Sequence, residues 1–250
     1  MEGHAVKPLA LTLAALAASL NLAGPCAHAA AAADTSALEA RLADYRHHVE
    51  LLKDHDAVEN LQAAYGFYVD KSLWRDVTDL FADNGTFEYG QMGVYVGKAH
   101  IRAALNLFGK EGPEPGKLNN YMQLQSVIHV APDGLTAKAR WRGMVQLGRA
   151  DEPGQWGEGT YENEYVKQGG VWKISRLHFY VTGFTDYDLG WGKSAIPIHG
   201  PSAAVPPDRP PSEVYRAFPG VYIPPFDYPH PVTGQPIVIP EPADSVLGRK

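Results

Sequence analysis

The chain has 250 residues, 45% of them hydrophobic, enough for a real core in one domain with extensions or in two small domains. Its formal net charge is −6 at pH 7, so its electrostatics point to neither a nucleic-acid nor an anionic-membrane partner. Cys26 is the single cysteine, which excludes an intrachain disulfide framework.

Residues 1–33 read as a secretory signal. Lys7 supplies a positive start, Leu9 to Leu22 is an apolar run too short for a comfortable membrane span, and Ala27-His28-Ala29 has the form of a cleavage site. The rival reading is an uncleaved anchor, which the alanine-rich run and the small residues after it disfavour. Cys26 leaves with the signal, and the mature chain then has no thiol nucleophile and no thiolate metal site. Such an exported chain suits a periplasmic or secreted location.

Residues 34–56 form a helical extension. Leu38, Leu42, Tyr45, Val49 and Leu52 step by four and three, a narrow apolar seam suited to another helix or a second copy. His47, His48 and His55 lie among charged residues without the His-Glu-x-x-His spacing of a metal site, so no metal is expected.

Residues 57–184 carry the periodic pattern of a folded domain. A helix runs through Val58, Leu61, Ala64, Tyr65, Tyr68 and Val69 and ends near Asp70. Leu73, Val77, Leu80 and Phe81 predict a short helix, Asp83-Asn84-Gly85 a turn, and Phe87 and Tyr89, alternating with Thr86 and Glu88, a strand. Gly97 closes a second strand, and a helix follows over 98–108. Lys110 to Lys117 is a polar Gly/Pro loop. Four strands are then expected at about 119–130, 134–149, 156–168 and 171–182, joined by turns at 131–134 and 168–170. The fold class is α+β: a strongly bent antiparallel sheet wrapped on helices as a cone. Residues 185–250 form an extended arm. Most of the prolines fall there, yet Trp191, Tyr215, Phe218, Tyr222, Phe226 and Tyr228 persist, and a disordered tail is aromatic-poor. The arm is therefore expected to pack on its own domain or on a neighbour.

From Val58 to Gly183 the chain resembles the SnoaL-like branch of the nuclear transport factor 2-like superfamily. The residues that carry the likeness are Tyr65 and Asp70 at the helix end, Trp74, Leu80-Phe81-Ala82-Asp83-Asn84-Gly85-Thr86, the Gly93 to Gly97 turn, Ile101-Arg102, and Trp172 with Ile174. The family implies the cone fold, a central pocket and frequent dimerisation; the fold alone does not fix an activity. Within the family, scytalone dehydratases are cofactorless. Asp70-Lys71-Ser72-Leu73-Trp74 is similar to the run that holds their pocket Asp, and Glu88-Tyr89 to the pair that holds a pocket Tyr. Their two pocket histidines fall near Asn120 and Arg142, where this chain has none.

Strand alternation assigns the remaining faces. Trp172 and Ile174 are core positions, so Arg176, His178 and Tyr180 are expected to point inward with them unless a bulge intervenes. Tyr161, Asn163 and Tyr165 alternate on the preceding strand. The expected inward set is Tyr65, Tyr68, Asp70, Tyr89, Asn120, Arg142, Tyr161, Asn163, Arg176 and His178. Asp70, Tyr89, Arg142 and His178 are the catalytic candidates, and Tyr65, Tyr68, Asn120, Tyr161, Asn163 and Arg176 the substrate-binding ones. Each also has a plain structural reading, as a cap, a paired cation or a satisfied core residue.

Thirteen tyrosines and five tryptophans suit an aromatic-lined pocket as well as ordinary core packing. The sequence shows no Rossmann glycine pattern, no P-loop and no metal triad. The reading is a cofactor-independent acid–base enzyme acting on a small phenolic compound. With its export signal and aromatic-proline arm, the chain looks most like the bacterial diarylpropane lyases of lignin-dimer breakdown. A dehydratase, an isomerase and a non-catalytic small-ligand-binding module are the rival readings. The expected partners are a small aromatic substrate and a second copy of the chain.

Overall fold

The structure, a computed structural model, describes residues 24–240, with residues 24–34 traced by backbone alone. The expected signal up to residue 23 lies outside the described residues. The chain divides into two compact units, Met1–Glu50 and Leu51–Lys250. Helix α1 spans Gly24–Asp70. In the first unit Leu38, Leu42, Tyr45 and Val49 are exposed; in the second, so is Leu52.

The second unit holds the core. Val58, Gln62, Tyr65 and Val69 recur at helical spacing on α1 and are all buried. After Asp70 come α2 (Trp74–Asp79), β1 (Phe81–Tyr89), β2 (Val94–Val96), α3 (Gly97–Leu105) and a single 3₁₀ turn, Asn106–Phe108. Four long strands follow: β3 (Lys117–Val130), β4 (Thr136–Arg149), β5 (Gln155–Gln168) and β6 (Val171–Asp186). The four long strands and the helix at Trp74 fall close to where the sequence places them, while the helix expected over 98–108 ends at Leu105 and gives way to the 3₁₀ turn.

The six strands form one sheet in the order β2-β1-β6-β5-β4-β3. It is mixed, because β6 returns beside β1 in the parallel sense, while the other pairings are antiparallel. Register slips where β6 meets β1 and β5, and where β3 meets β4. Each slip increases local twist, and together they help to curl the sheet.

Two glycine stretches refine the sequence reading. The expected turn at Asp83–Gly85 lies instead inside β1, where the pairing passes from Phe81–Ile174 to Thr86–Arg176. A Cβ on Gly85 would sit 3.0 Å from the carbonyl oxygens of Ala82 and Ile174. This glycine serves a close backbone approach, and the left-handed conformation falls to Gly97, at φ +80°. On β5, a Cβ at Gly159 would lie 2.4 Å from the Tyr180 carbonyl oxygen and 2.4 Å from Phe179 Cζ. Neither backbone nor buried ring can yield freely. Gly159→Ala is therefore expected to destabilise the protein by about 1–3 kcal/mol, seen as a lower Tm in a thermal scan. An unchanged Tm would show that β5 and β6 can part.

A polar thread crosses the core without leaving a group unpaired. Asn163 Nδ2 and the Tyr165 hydroxyl donate to Gln62 Oε1 at 2.9 and 2.8 Å, Gln62 Nε2 donates to Gln123 Oε1 at 2.7 Å, and Trp141 Nε1 donates to Tyr165 at 3.1 Å. Nearer the start of that helix, Asp54 accepts Lys167 Nζ at 2.6 Å and Trp172 Nε1 at 2.9 Å. These bonds fix α1 against β3, β5 and β6 and tie β4 to β5, and each lost partner would strand a buried polar group.

From Tyr187 to Pro240 the chain has no helix or strand, only two isolated bridges. It packs on its own unit through β1, β2, β4 and β6. Val94 N–H donates to Arg209 O at 3.0 Å, Tyr95 donates to Val205 O at 2.9 Å, and Val96 N–H donates to Asp208 at 2.7 Å. Farther on, Arg140 donates to the Pro224 and Pro225 carbonyls at 2.8 and 3.0 Å and stacks on the Phe226 ring at 3.8 Å.

Candidate functional site

The sheet closes around a cavity of about 460 Å³. Its walls come from the end of β1 (Tyr89), the following turn (Met92), the 3₁₀ turn (Leu107, Phe108), the long strands (Tyr121, Leu147, Gln155, Val181, Phe184) and the arm from Ile196 to Ser202. Apolar side chains dominate, with a few polar groups among them, the usual make-up of a small-molecule pocket.

Tyr89 is the only expected site residue in this wall. Its ring packs on Phe108 and Phe179 at centroid distances of 5.1 and 4.8 Å. Burial and the surrounding tyrosines push its hydroxyl well above the ordinary phenol range. Burial likewise raises Tyr121, and raises Tyr161 to about 12. At neutral pH these phenols are hydrogen-bond donors and not bases.

Behind the wall lie Tyr65 and Tyr161, packed edge to face at 6.0 Å, with Gln123 donating toward the Tyr161 hydroxyl at 3.5 Å. Asn163 is spent on the core thread, and its Oδ1 also accepts the His178 N–H at 3.2 Å. Tyr68 is half-buried against the core. Asp70 does not line the cavity but is tied to it: its carboxylate accepts the Tyr121 N–H at 2.6 Å. Burial raises the Asp70 carboxyl, while that N–H and Lys71 pull it down.

The other four expected residues lie on the opposite face of the sheet. Opposite Ile174 stands Tyr165, and opposite Arg176 stands Glu164, so Ser175 is an extra residue on β6. The bulge restarts the alternation. Leu177, Phe179 and Val181 enter the core, and Arg176, His178 and Tyr180 face the arm. On β4, Ala137, Ala139, Trp141 and Val145 are the buried set, which turns Arg142 outward to Gln125 at 2.6 Å and to the Glu158 carboxylate. Asn120 shares that outer face, donating to Gln146 at 2.8 Å, and its neighbour Tyr121 takes the inward place. A buried unpaired arginine would be costly, so the outward arrangement is the cheaper one.

His178 thus sits beneath the arm. It is fully buried and stacks on Tyr180 at 3.7 Å. Its Nδ1 lies 3.5 Å from the Glu88 carboxylate, and its Nε2 has no partner. Burial, assisted by the Arg176 charge, lowers its pKa to about 3. The imidazole is therefore neutral, and the Glu88 contact is not an ion pair. Glu88 is held by the arm instead, through the Ser212 N–H at 2.7 Å and the Ser212 hydroxyl.

The sign of the pH effect follows from linkage. The unfolded chain takes up a proton at His178 near pH 6.5 and the folded one only near 3, so this contribution to stability is present above 6.5 and is lost as pH falls toward 3. Glu162 has the opposite slope: burial raises it to about 7 against the pull of Arg140, and its contribution is lost as pH rises through 7. The His178 effect is read by difference. His178→Gln should flatten the acid side of the stability–pH curve measured by urea unfolding, and an unaltered curve would mean that the imidazole is protonated in place.

Sequence reasoning missed Tyr121, one residue from the expected Asn120, and the whole arm wall. The available signal was Ile196-Pro197-Ile198, a short apolar alternation inside the proline-rich segment, with His199 after it. Among the described residues, His199 is the one imidazole bordering the cavity. A second grouping, His55 with Asp56 and Glu59, brings metal-capable atoms within 4.8 Å of one another. It is partly or fully exposed on α1 and is not among the residues that line the cavity.

Residues 50–178 match the SnoaL-like domain family. The chain belongs to that family. The SnoaL-like region thus includes Tyr89, Tyr121 and Asp70, whereas the arm wall lies beyond it. Among solved structures, the chain is similar to a provisionally assigned scytalone dehydratase of Novosphingobium aromaticivorans DSM 12444, with 19% identity over 62% of this chain and 97% of that one, at a TM-score of 0.49. It is also similar to the hexachlorocyclohexane dehydrochlorinase LinA-type3 of Novosphingobium barchaimii LL02, with 17% identity over 56% and 93%, at a TM-score of 0.48. A comparison with curated protein sequences found no match.

Proposed function

We propose that the protein is an exported, cofactor-independent acid–base lyase of a small phenolic compound, with a lignin-derived diarylpropane diol as its substrate. The observation that carries the reading is the cavity: apolar walls, two phenol donors in Tyr89 and Tyr121, and His199 at its border. Its volume of about 460 Å³ is roughly three times that of the apolar cavity of about 150 Å³ that holds one benzene ring. Two aromatic rings and a short linker fit that space.

The chemistry balances without an oxidant. The α-hydroxyl of the diol leaves as water, assisted by a phenol donor. A base takes the proton of the γ-hydroxyl, the Cβ–Cγ bond breaks, formaldehyde departs, and the electron pair forms the stilbene double bond. His199 serves as the base. Tyr89 and Tyr121 hydrogen-bond the departing oxygen and the substrate phenol. Asp70 holds the Tyr121 backbone and so positions one donor.

The test is product mass from purified mature protein incubated with a phenolic diarylpropane diol after exhaustive EDTA treatment. The expected product is the substrate less water and formaldehyde, with chelation making no difference. Loss of water alone would make the protein a dehydratase, and an unchanged mass with a moved double bond or proton an isomerase. Activity lost on chelation and restored by one metal would overturn the cofactor-independent reading.

A further inference from the structure

The arm does more than cover a face of the sheet: one short piece of it forms a wall of the cavity. Ile196 N–H donates to Phe184 O at 2.8 Å, which pins the piece to the end of β6. Two residues on, Ile198 reaches the β1 turn: a Cβ built on Gly90 would lie 2.8 Å from Ile198 Cγ2 and 3.3 Å from Val181 Cγ2. Gly90 itself is at φ +57° and donates to Phe179 O at 2.8 Å. The wall is thus seated on fixed backbone at both points, and Ile198 is packed against the core.

None of this piece belongs to the region that matches the family, which ends at residue 178. A cavity bounded by the family domain alone would be open on this side. On that side the arm supplies lining residues, Ile196 and Ile198 among them.

We propose that the arm piece Ile196–Ser202 determines substrate length, with Ile198 as the specificity-determining residue that seats the second ring of a two-ring aromatic ligand. The proposal rests on the reading of the cavity as an aromatic site, and it goes further in assigning selection to a segment outside the family domain. Both isoleucines offer only dispersion and burial, so selection here is by size and apolar fit. The polar end of the ligand is met elsewhere, by Tyr89 and Tyr121.

Equilibrium binding separates this from turnover. Two probes suffice: guaiacol with one ring, and a bis(hydroxyphenyl)ethane with two, each titrated by calorimetry against the full mature protein and its variants. The wild type should bind the two-ring probe at least ten-fold more tightly. Ile198→Trp should weaken the two-ring probe ten-fold or more while moving guaiacol less than two-fold. Ile198→Ala, which cannot clash, should weaken the two-ring probe several-fold through lost packing and again spare guaiacol. A thermal scan on each sample confirms folding. Equal losses for both probes, or none for either, would overturn the assignment. If the wild type binds two rings selectively but no diol is turned over, the lyase reading fails and the length gauge stands. If the wild type binds neither probe, the aromatic site and the gauge fail together.

Discussion

His199→Gln is expected to lower kcat on a phenolic diarylpropane diol by about 100- to 10,000-fold, the usual worth of a general acid or base, with little change in KM. His178→Gln should leave kcat within a few-fold. The contrast follows from placement. His199 borders the cavity on the arm wall, whereas His178 is buried on the far side of the sheet, stacked on Tyr180 and beneath Ser212 and Tyr215. With a pKa lowered to about 3, His178 is also a poor base even for a group it could reach. Tyr89→Phe keeps the ring in the wall and removes one donor, so it should cost about ten-fold, close to the worth of one hydrogen bond. A folded His199→Gln variant with near-normal kcat would remove the imidazole from the mechanism.

The fold was legible because its signals are local. Apolar spacing on α1, the Trp74 helix, Gly97 at a positive φ and the hairpin turns each act over a few residues, and nothing distant overrides them. The site was legible only in part, for the same reason. Alternation along β6 assigns Arg176 and His178 to the core face, and a single extra residue, Ser175, reverses both. No local feature marks Ser175 as extra; the bulge exists because β5 and β6 must satisfy two registers along one pair. On β4 the better guide was the apolar set Ala137, Ala139, Trp141 and Val145, which places Arg142 outward without any motif. Family likeness placed Asn120 one residue from Tyr121, and one residue on a strand is the difference between two faces. The arm wall was least legible. Its contacts with Phe184 and Gly90 span the turn after β6 and more than a hundred residues of sequence respectively, and an extended segment carries no period to announce them.

Removing residues 205–250 is expected to lower Tm by roughly 10 °C, the second large effect. The arm beyond Val205 contributes the Tyr215–Tyr222 stack at 4.5 Å, with Tyr222 also against Tyr180 at 5.7 Å. Its Tyr215 hydroxyl accepts the Val181 N–H at 2.8 Å, Ser212 holds Glu88, and Phe226 covers Arg140. Fully burying one such aromatic is worth about 1.5–3 kcal/mol; Tyr215 is buried and Tyr222, Phe226 and Tyr228 are partly buried, so the gross apolar loss is about 4 kcal/mol. The entropy of ordering an extended segment opposes this, but the many prolines between Pro206 and Pro231 fix φ in the unfolded chain too and reduce that cost. What tips the balance is the face left behind. Without Ser212 the buried Glu88 carboxylate loses its two donors, and an unsatisfied buried charge costs more than the hydrogen bonds were worth. At about 2–4 °C per kcal/mol for a chain of this size, a net loss of 3–4 kcal/mol gives the expected shift. Ser212→Ala with Tyr215→Ala in the full chain should reproduce more than half of it, since those two residues make the deepest contacts. A truncated protein that melts with the wild type would show that the arm lies on the sheet without supporting it, and the cavity wall at Ile196–Ser202 would then depend on its own bridge to Phe184 alone.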